Sequence, residues 1–338
     1  MSAPAAHRDT VVIGASAGGV EALIEVVGGL PTEFPASVLV VLHVLATGRS
    51  MLDAILARAG NLPAVTPIDG EPLVAAQIYV APPDRHMLLL RDRIAITSGP
   101  RENGHRPAID PLFRSAARSV GRRAIGVVLS GALDDGAAGL QFLKARGGLA
   151  IVQDPADALY PSMPEHALAA VAADHVVPVR AIAALLCAEV ERVLESGGRD
   201  DAPSELDLAE LDVGNVGRMD GPPSGLTCPE CGGALWEESI GALVRFRCHV
   251  GHSFSAESLA SEQGQTLETA LWSGLRALEE RADLLDRMAR RGERSSRSAQ
   301  HFQVRADEAR EHAGALRALL TRLGRDPASA DMNADAAP

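Results

Sequence analysis

Between residues 9 and 195, short β-branched and apolar runs alternate with segments whose apolar residues recur at helical spacing. The runs predict strands at Thr10–Ile13, Ser37–Leu42, Ile78–Ala81, Arg93–Thr97, Ala124–Leu129, Leu149–Gln153 and Val176–Val179. The intervening periodicity predicts helices near 18–29, 50–60, 107–119, 136–146, 164–172 and 180–195. Runs such as "SVLVVL" are apolar at every position after the first, which suits a strand covered on both faces. The expected fold is therefore α/β, a doubly wound, mostly parallel sheet with helices on both faces. "MLLLRDRIAITSG" reads as a hairpin, so one antiparallel insertion is expected.

A parallel sheet gathers the carboxyl ends of its strands along one edge, where reactive groups from distant parts of the chain can meet. The first strand runs into Gly14-Ala-Ser-Ala-Gly-Gly19. A dinucleotide-binding loop needs glycine where Ser16 stands. Gly14, Ser16 and Gly18 instead fit G-x-S-x-G, a tight strand-to-helix turn that exposes a nucleophile; a purely structural or phosphate-binding loop is the competing reading. His43 follows the second strand, and Asp134 and Asp135 follow "AIGVVLSG". Taken singly, His43 could be a rim histidine and the aspartates a helix N-cap. Together they supply a nucleophile, a base and an orienting carboxylate on one edge. Spacing does not choose between Asp134 and Asp135. His86 and His105 are rival bases that follow no main strand as cleanly.

Four ordered motifs carry a resemblance: the Ser16 loop, "HRPAIDPLF" (105–113), "VVLSGALDDGAAG" (127–139) and "SMPEHA" (162–167). Together they resemble the catalytic domain of chemotaxis protein-glutamate methylesterases over residues 9 to about 190. The resemblance implies a Ser-His-Asp triad with Ser16 as nucleophile, His43 as general base and Asp135, rather than Asp134, as the orienting acid. It further implies hydrolysis of glutamate methyl esters, with glutamine deamidation using the same chemistry, and oxyanion or substrate contacts at Ala17, Ala132 and Met163. The partners implied are a methylated chemoreceptor or related helical signalling protein, and a methyltransferase. Three departures stand out. Ala17 replaces a common threonine, Leu42-His43-Val44-Leu45 replaces Gln-His-Met-Pro, and Ala132 replaces a methionine whose backbone N–H serves the oxyanion. No receiver domain is expected ahead of the first strand. A non-catalytic adaptor of the same fold and an esterase for a different small ester are the alternatives.

Residues 196–225 are rich in Gly, Pro, Ser and Asp and read as an acidic linker. Beyond it, Cys228 and Cys231, then Cys248 and His252, have the spacing of a zinc ribbon in residues 226–256. His249 is the weaker fourth ligand, because it adjoins Cys248. Four protein ligands make the expected Zn²⁺ structural, and catalysis is expected to need no cofactor. Because none of these ligands lies in the first 190 residues, small-ester hydrolysis is expected to survive chelation. Residues 257–324 hold two amphipathic stretches, broken by "GERSSRS" (292–298), that predict a helical hairpin; 325–338 reads as a disordered tail. Over 338 residues the net charge of −12 argues against nucleic-acid binding, and no apolar run is long enough to insert in a membrane. With three of four cysteines clustered and no leader pattern, a cytoplasmic protein is expected.

Overall fold

The computed structural model describes residues 6–44, 50–194, 222–240, 243–291 and 297–323. The expected tail (325–338) and most of the expected linker and helix break lie outside these residues. The chain divides into two compact units, one running to Leu259 and the other starting at Ala260.

The first unit opens with β1 (Thr10–Ala15), α1 (Gly19–Gly28), β2 (Ser37–Leu42) and α2 (Leu52–Ala59). Strands β3 (Ala64–Val65) and β4 (Ile78–Val80) follow, then the hairpin β5 (His86–Leu90) and β6 (Arg93–Thr97). Next come α3 (Ile109–Val120), β7 (Ala124–Val128), α4 (Ala137–Ala145), β8 (Leu149–Gln153), α5 (Ser162–Ala170), β9 (His175–Val177) and α6 (Val179–Glu191). Seven strands form one parallel sheet in the order β3-β4-β2-β1-β7-β8-β9. The β5–β6 hairpin pairs antiparallel outside it, as the sequence predicts.

Alternation along β1 explains the layering. Val11, Ile13 and Ala15 face a core completed by Leu23 and Val26 of α1, Leu56 of α2 and Ile182 and Leu186 of α6. Val12 faces the other core, with Ile109, Leu112 and Phe113 of α3, Leu140 of α4 and Met163 of α5. Strands β1, β2 and β7 are buried throughout, as uniformly apolar runs require. The order reverses between β1 and β7, which places the topological switch point, and a crevice at the strand carboxyl ends, beside Ser16.

The same unit includes a second sheet, β10 (Pro223–Thr227), β11 (Ala234–Ile240), β12 (Leu243–Cys248) and β13 (Ser253–Ser255), antiparallel throughout. β10 begins inside the segment read as linker. Among the described residues, Cys228, Leu235, Cys248, Phe254 and Leu259 form its buried cluster, with Phe246 packed against it. Helix α7 (Ala256–Arg291) leaves β13 directly.

In the second unit, α7 continues and pairs with α8 (Arg297–Leu323). Leu275, Ala313 and Leu320 are buried between them, with Leu271, Leu278 and Leu316 packed alongside. Arg310 pairs with Asp286 and Arg317 with Glu279. Among the described residues no helix is long and apolar enough to cross a membrane.

Candidate active site and metal centre

Ser16, His43 and Asp135 converge at the switch point. Ser16 leaves β1, His43 leaves β2, and Asp135 lies beyond β7; both β2 and β7 pair with β1. Gly14 lets this happen: a Cβ there would lie 2.3 Å from Cγ2 of Ile109, so only glycine allows α3 to pack against β1. Gly18 sits at φ +67°, the left-handed conformation that turns the chain from Ser16 into α1. The Ser16 N–H donates to the Ser130 carbonyl (3.0 Å), and the Ser16 carbonyl accepts from Gly19 N–H (2.9 Å).

His43 Nδ1 lies 3.0 Å from Ser16 Oγ, and its Nε2 lies 2.8 Å from Asp135 Oδ2. Asp135 accepts four hydrogen bonds. His43 Nε2 and the Ile109 N–H (2.7 Å) reach Oδ2; Asn103 Nδ2 (3.0 Å) and the Asp110 N–H (3.2 Å) reach Oδ1. Burial alone would raise this carboxyl, but the His43 contact and the backbone donors outweigh it and bring it down to about 2. An ionised Asp135 accepts a proton-bearing Nε2, which leaves the Nδ1 lone pair facing the Ser16 hydroxyl.

Asp134 points elsewhere. Leu133, at φ +58°, and Gly136, at φ +96°, flank the pair, and Asp134 Oδ1 accepts from the Ser255 (2.7 Å) and Ser258 (2.9 Å) hydroxyls. The ambiguity left by spacing is thus separated in space. Neither rival histidine hydrogen-bonds Ser16. His86 is buried between the Pro100 carbonyl (2.9 Å) and the Ala108 N–H (3.3 Å). The His105 ring stacks on His43 at 3.7 Å, and burial beside that imidazole lowers its pKa to about 3. It forms one wall against the His43 ring.

The backbone N–H groups of Ala17 and Ala132 are not engaged by other described residues. Met163 differs: its N–H is taken by the Gly131 carbonyl (2.9 Å), so it contributes a buried apolar wall rather than a free donor.

Residues 11–186, more than half of the chain, match the CheB methylesterase family. The chain belongs to the CheB methylesterase family. A protein-glutamate methylesterase/protein-glutamine glutaminase of Anaeromyxobacter dehalogenans is 40% identical over 177 residues, which is 52% of each chain. A Leptospira interrogans protein named for the same two activities is 38% identical over 180 residues, 53% of this chain and 93% of its own. The crystal structure of the Thermotoga maritima CheB methylesterase catalytic domain superposes with a TM-score of 0.52 at 29% identity, covering 54% of this chain and 99% of that one. These CheB likenesses cover little more than half of the chain, and the Cys/His segment lies outside the matched residues.

Cys228, Cys231, Cys248 and His252 place their ligand atoms within 4.8 Å of one another. Separations are 3.6 Å for Cys231 Sγ to Cys248 Sγ, and 3.7 and 3.5 Å from His252 Nδ1 to Cys228 Sγ and Cys248 Sγ. Tetrahedral zinc with bonds of about 2.3 Å to sulfur and 2.0–2.1 Å to nitrogen needs edges of roughly 3.6–3.8 Å. The cluster is therefore sized for such an ion. His249 is exposed, away from the buried Cys248.

Sequence reasoning missed the support behind the triad. Asn103 and Gly104 both have positive φ and make a two-residue turn closed by Glu102 and His105, the geometry an Asn-Gly pair favours. That dipeptide was a legible turn signal, but nothing in it said where the Asn103 side chain would point. Asp110, inside a motif already singled out, accepts the Gly136 (3.1 Å) and Gly139 (2.6 Å) N–H groups; burial and the Asp135 charge raise it to about 7.

Proposed function

We propose that Ser16, His43 and Asp135 carry out the CheB-type reaction in this chain, hydrolysing glutamate methyl esters. The observation carrying the assignment is the unbroken relay of 3.0 and 2.8 Å contacts that joins the buried Ser16 and Asp135 through His43. His43 Nδ1 takes the Ser16 proton as Oγ attacks the ester carbonyl. Asp135 holds the ring through Nε2 and stabilises the imidazolium. The free N–H groups of Ala17 and Ala132 are the candidate oxyanion donors, each worth about 3 kcal/mol in comparable sites. Collapse of the tetrahedral intermediate expels methanol, and water then regenerates Ser16. A glutamine side chain would react alike and release ammonia. The substrate we assign is a chemoreceptor or related helical signalling protein in the cytoplasm, its esters supplied by a methyltransferase.

The cysteine-histidine cluster fits Zn²⁺ as a structural ion. With five residues in its buried cluster among those described, this ribbon has a small core, which metal binding would reinforce.

Mass spectrometry of methylated receptor peptides tests the assignment. Wild type should remove 14 Da per site with release of methanol, and Ser16→Ala should remove none while keeping its circular dichroism. A folded Ser16→Ala protein with undiminished turnover would refute the triad.

A further inference from the structure

We infer that the metal-binding ribbon is a structural part of the esterase site, acting on the catalytic aspartate through the positioning residue Asn103. This inference rests on the triad assigned above. It reverses the expectation, drawn from ligand positions alone, that small-ester hydrolysis is indifferent to chelation.

The connection is direct. Two ligands, Cys248 and His252, bracket the turn between β12 and β13, held by Cys248 N–H to the His252 carbonyl (2.9 Å). Residues 101–103 then run alongside β13. Asn103 N–H donates to the Ser253 carbonyl (2.7 Å), and Ser253 N–H donates to the Arg101 carbonyl (3.3 Å). The Asn103 side chain faces both ways: its Oδ1 accepts from Ser255 N–H (3.0 Å), and its Nδ2 donates to Asp135 Oδ1 (3.0 Å). An amide pinned by its oxygen to the ribbon must aim its nitrogen at the triad. Beside it, the half-buried carboxylate of Glu102 is shared by Arg114 of α3 (2.7 Å) and Arg245 of β12 (2.6 Å). Asn103 is itself 3% exposed, at the first position of the Asn-Gly turn, so its side chain has no solvent to turn toward. Without the metal, the turn carrying β13 loses its anchor, and with it goes the partner that fixes this amide.

The test uses the full chain loaded with one zinc per molecule and p-nitrophenyl acetate as probe. Stripping the metal under reducing conditions should lower kcat about 10- to 100-fold, the scale of one charge-assisted hydrogen bond, and leave KM within a few-fold. Zinc should restore it. Asn103→Ala should show the same kcat loss with its zinc retained, and stripping that variant should add little. Hydrogen exchange gives a readout free of activity: metal removal should expose the amides of residues 101–105 and 109–110 while β1, β2 and β7 stay protected. Unchanged kcat in stripped chain, multiplicative losses in the stripped variant, persistent protection at 101–105, or loss of protection across β1, β2 and β7 would each overturn the inference. Hydrolysis that persists in Ser16→Ala would indict the triad instead, and the exchange data would still decide the coupling.

Discussion

At Asp135 a single carboxylate collects four donors, and its neighbour in sequence collects none of them. Asp135→Asn should lower kcat by up to about 10⁴-fold, because an amide favours the wrong imidazole tautomer and turns a donor toward backbone N–H groups. Asp134→Asn should cost far less, since the Ser255 and Ser258 hydroxyls can still donate to the amide oxygen. Steady-state kinetics on the two purified variants checks the order. The same carboxylate sets an acid limit. Its folded pKa of about 2 lies below the ordinary 3.8, so its contribution is fully present above about pH 4 and is lost as pH falls through about 2. Urea unfolding between pH 4 and 2 should therefore show a shallower fall in stability for Asp135→Asn than for wild type.

Among the elements, β1 and α3 meet at Gly14, where a methyl group has no room. Gly14→Ala must displace Ile109, whose N–H holds Asp135, while shifting the strand that carries Ser16. The expected cost is about 1–3 kcal/mol of stability, with a fall in kcat, measured by urea denaturation and ester hydrolysis. The sheet itself was legible because its signals are local. β2, β6 and β8 occupy the residues their apolar runs predict, and His175–Val177 stops short of the expected Val179 because Pro178 cannot donate to a ladder. The two-residue β3 carries no pattern to read. The choice of Asp135 over Asp134 depends on the turn flanked by Leu133 and Gly136, both at positive φ, and the aim of Asn103 depends on a strand more than a hundred residues later. Neither is encoded in spacing; the first became readable only through family resemblance.

For the molecule as a whole, the division into units says what can be removed. All four candidate ligands, β13 and the serines on Asp134 precede Leu259, within the unit that holds the triad. A chain cut a few turns into α7 should therefore retain its zinc and its Ser16-dependent hydrolysis of small esters. Metal analysis and p-nitrophenyl acetate kinetics check this; loss of either would mean the helical hairpin supports the site. Chain order adds one consequence for biosynthesis. The ribosome releases Ser16, His43 and Asp135 well before Cys248 and His252, and at about 5–20 residues per second the interval is on the order of ten seconds. Throughout that interval the nascent chain has its nucleophile but lacks the strand that pins Asn103, so the proposed coupling implies that full kcat arrives only with the last part of the unit and its metal.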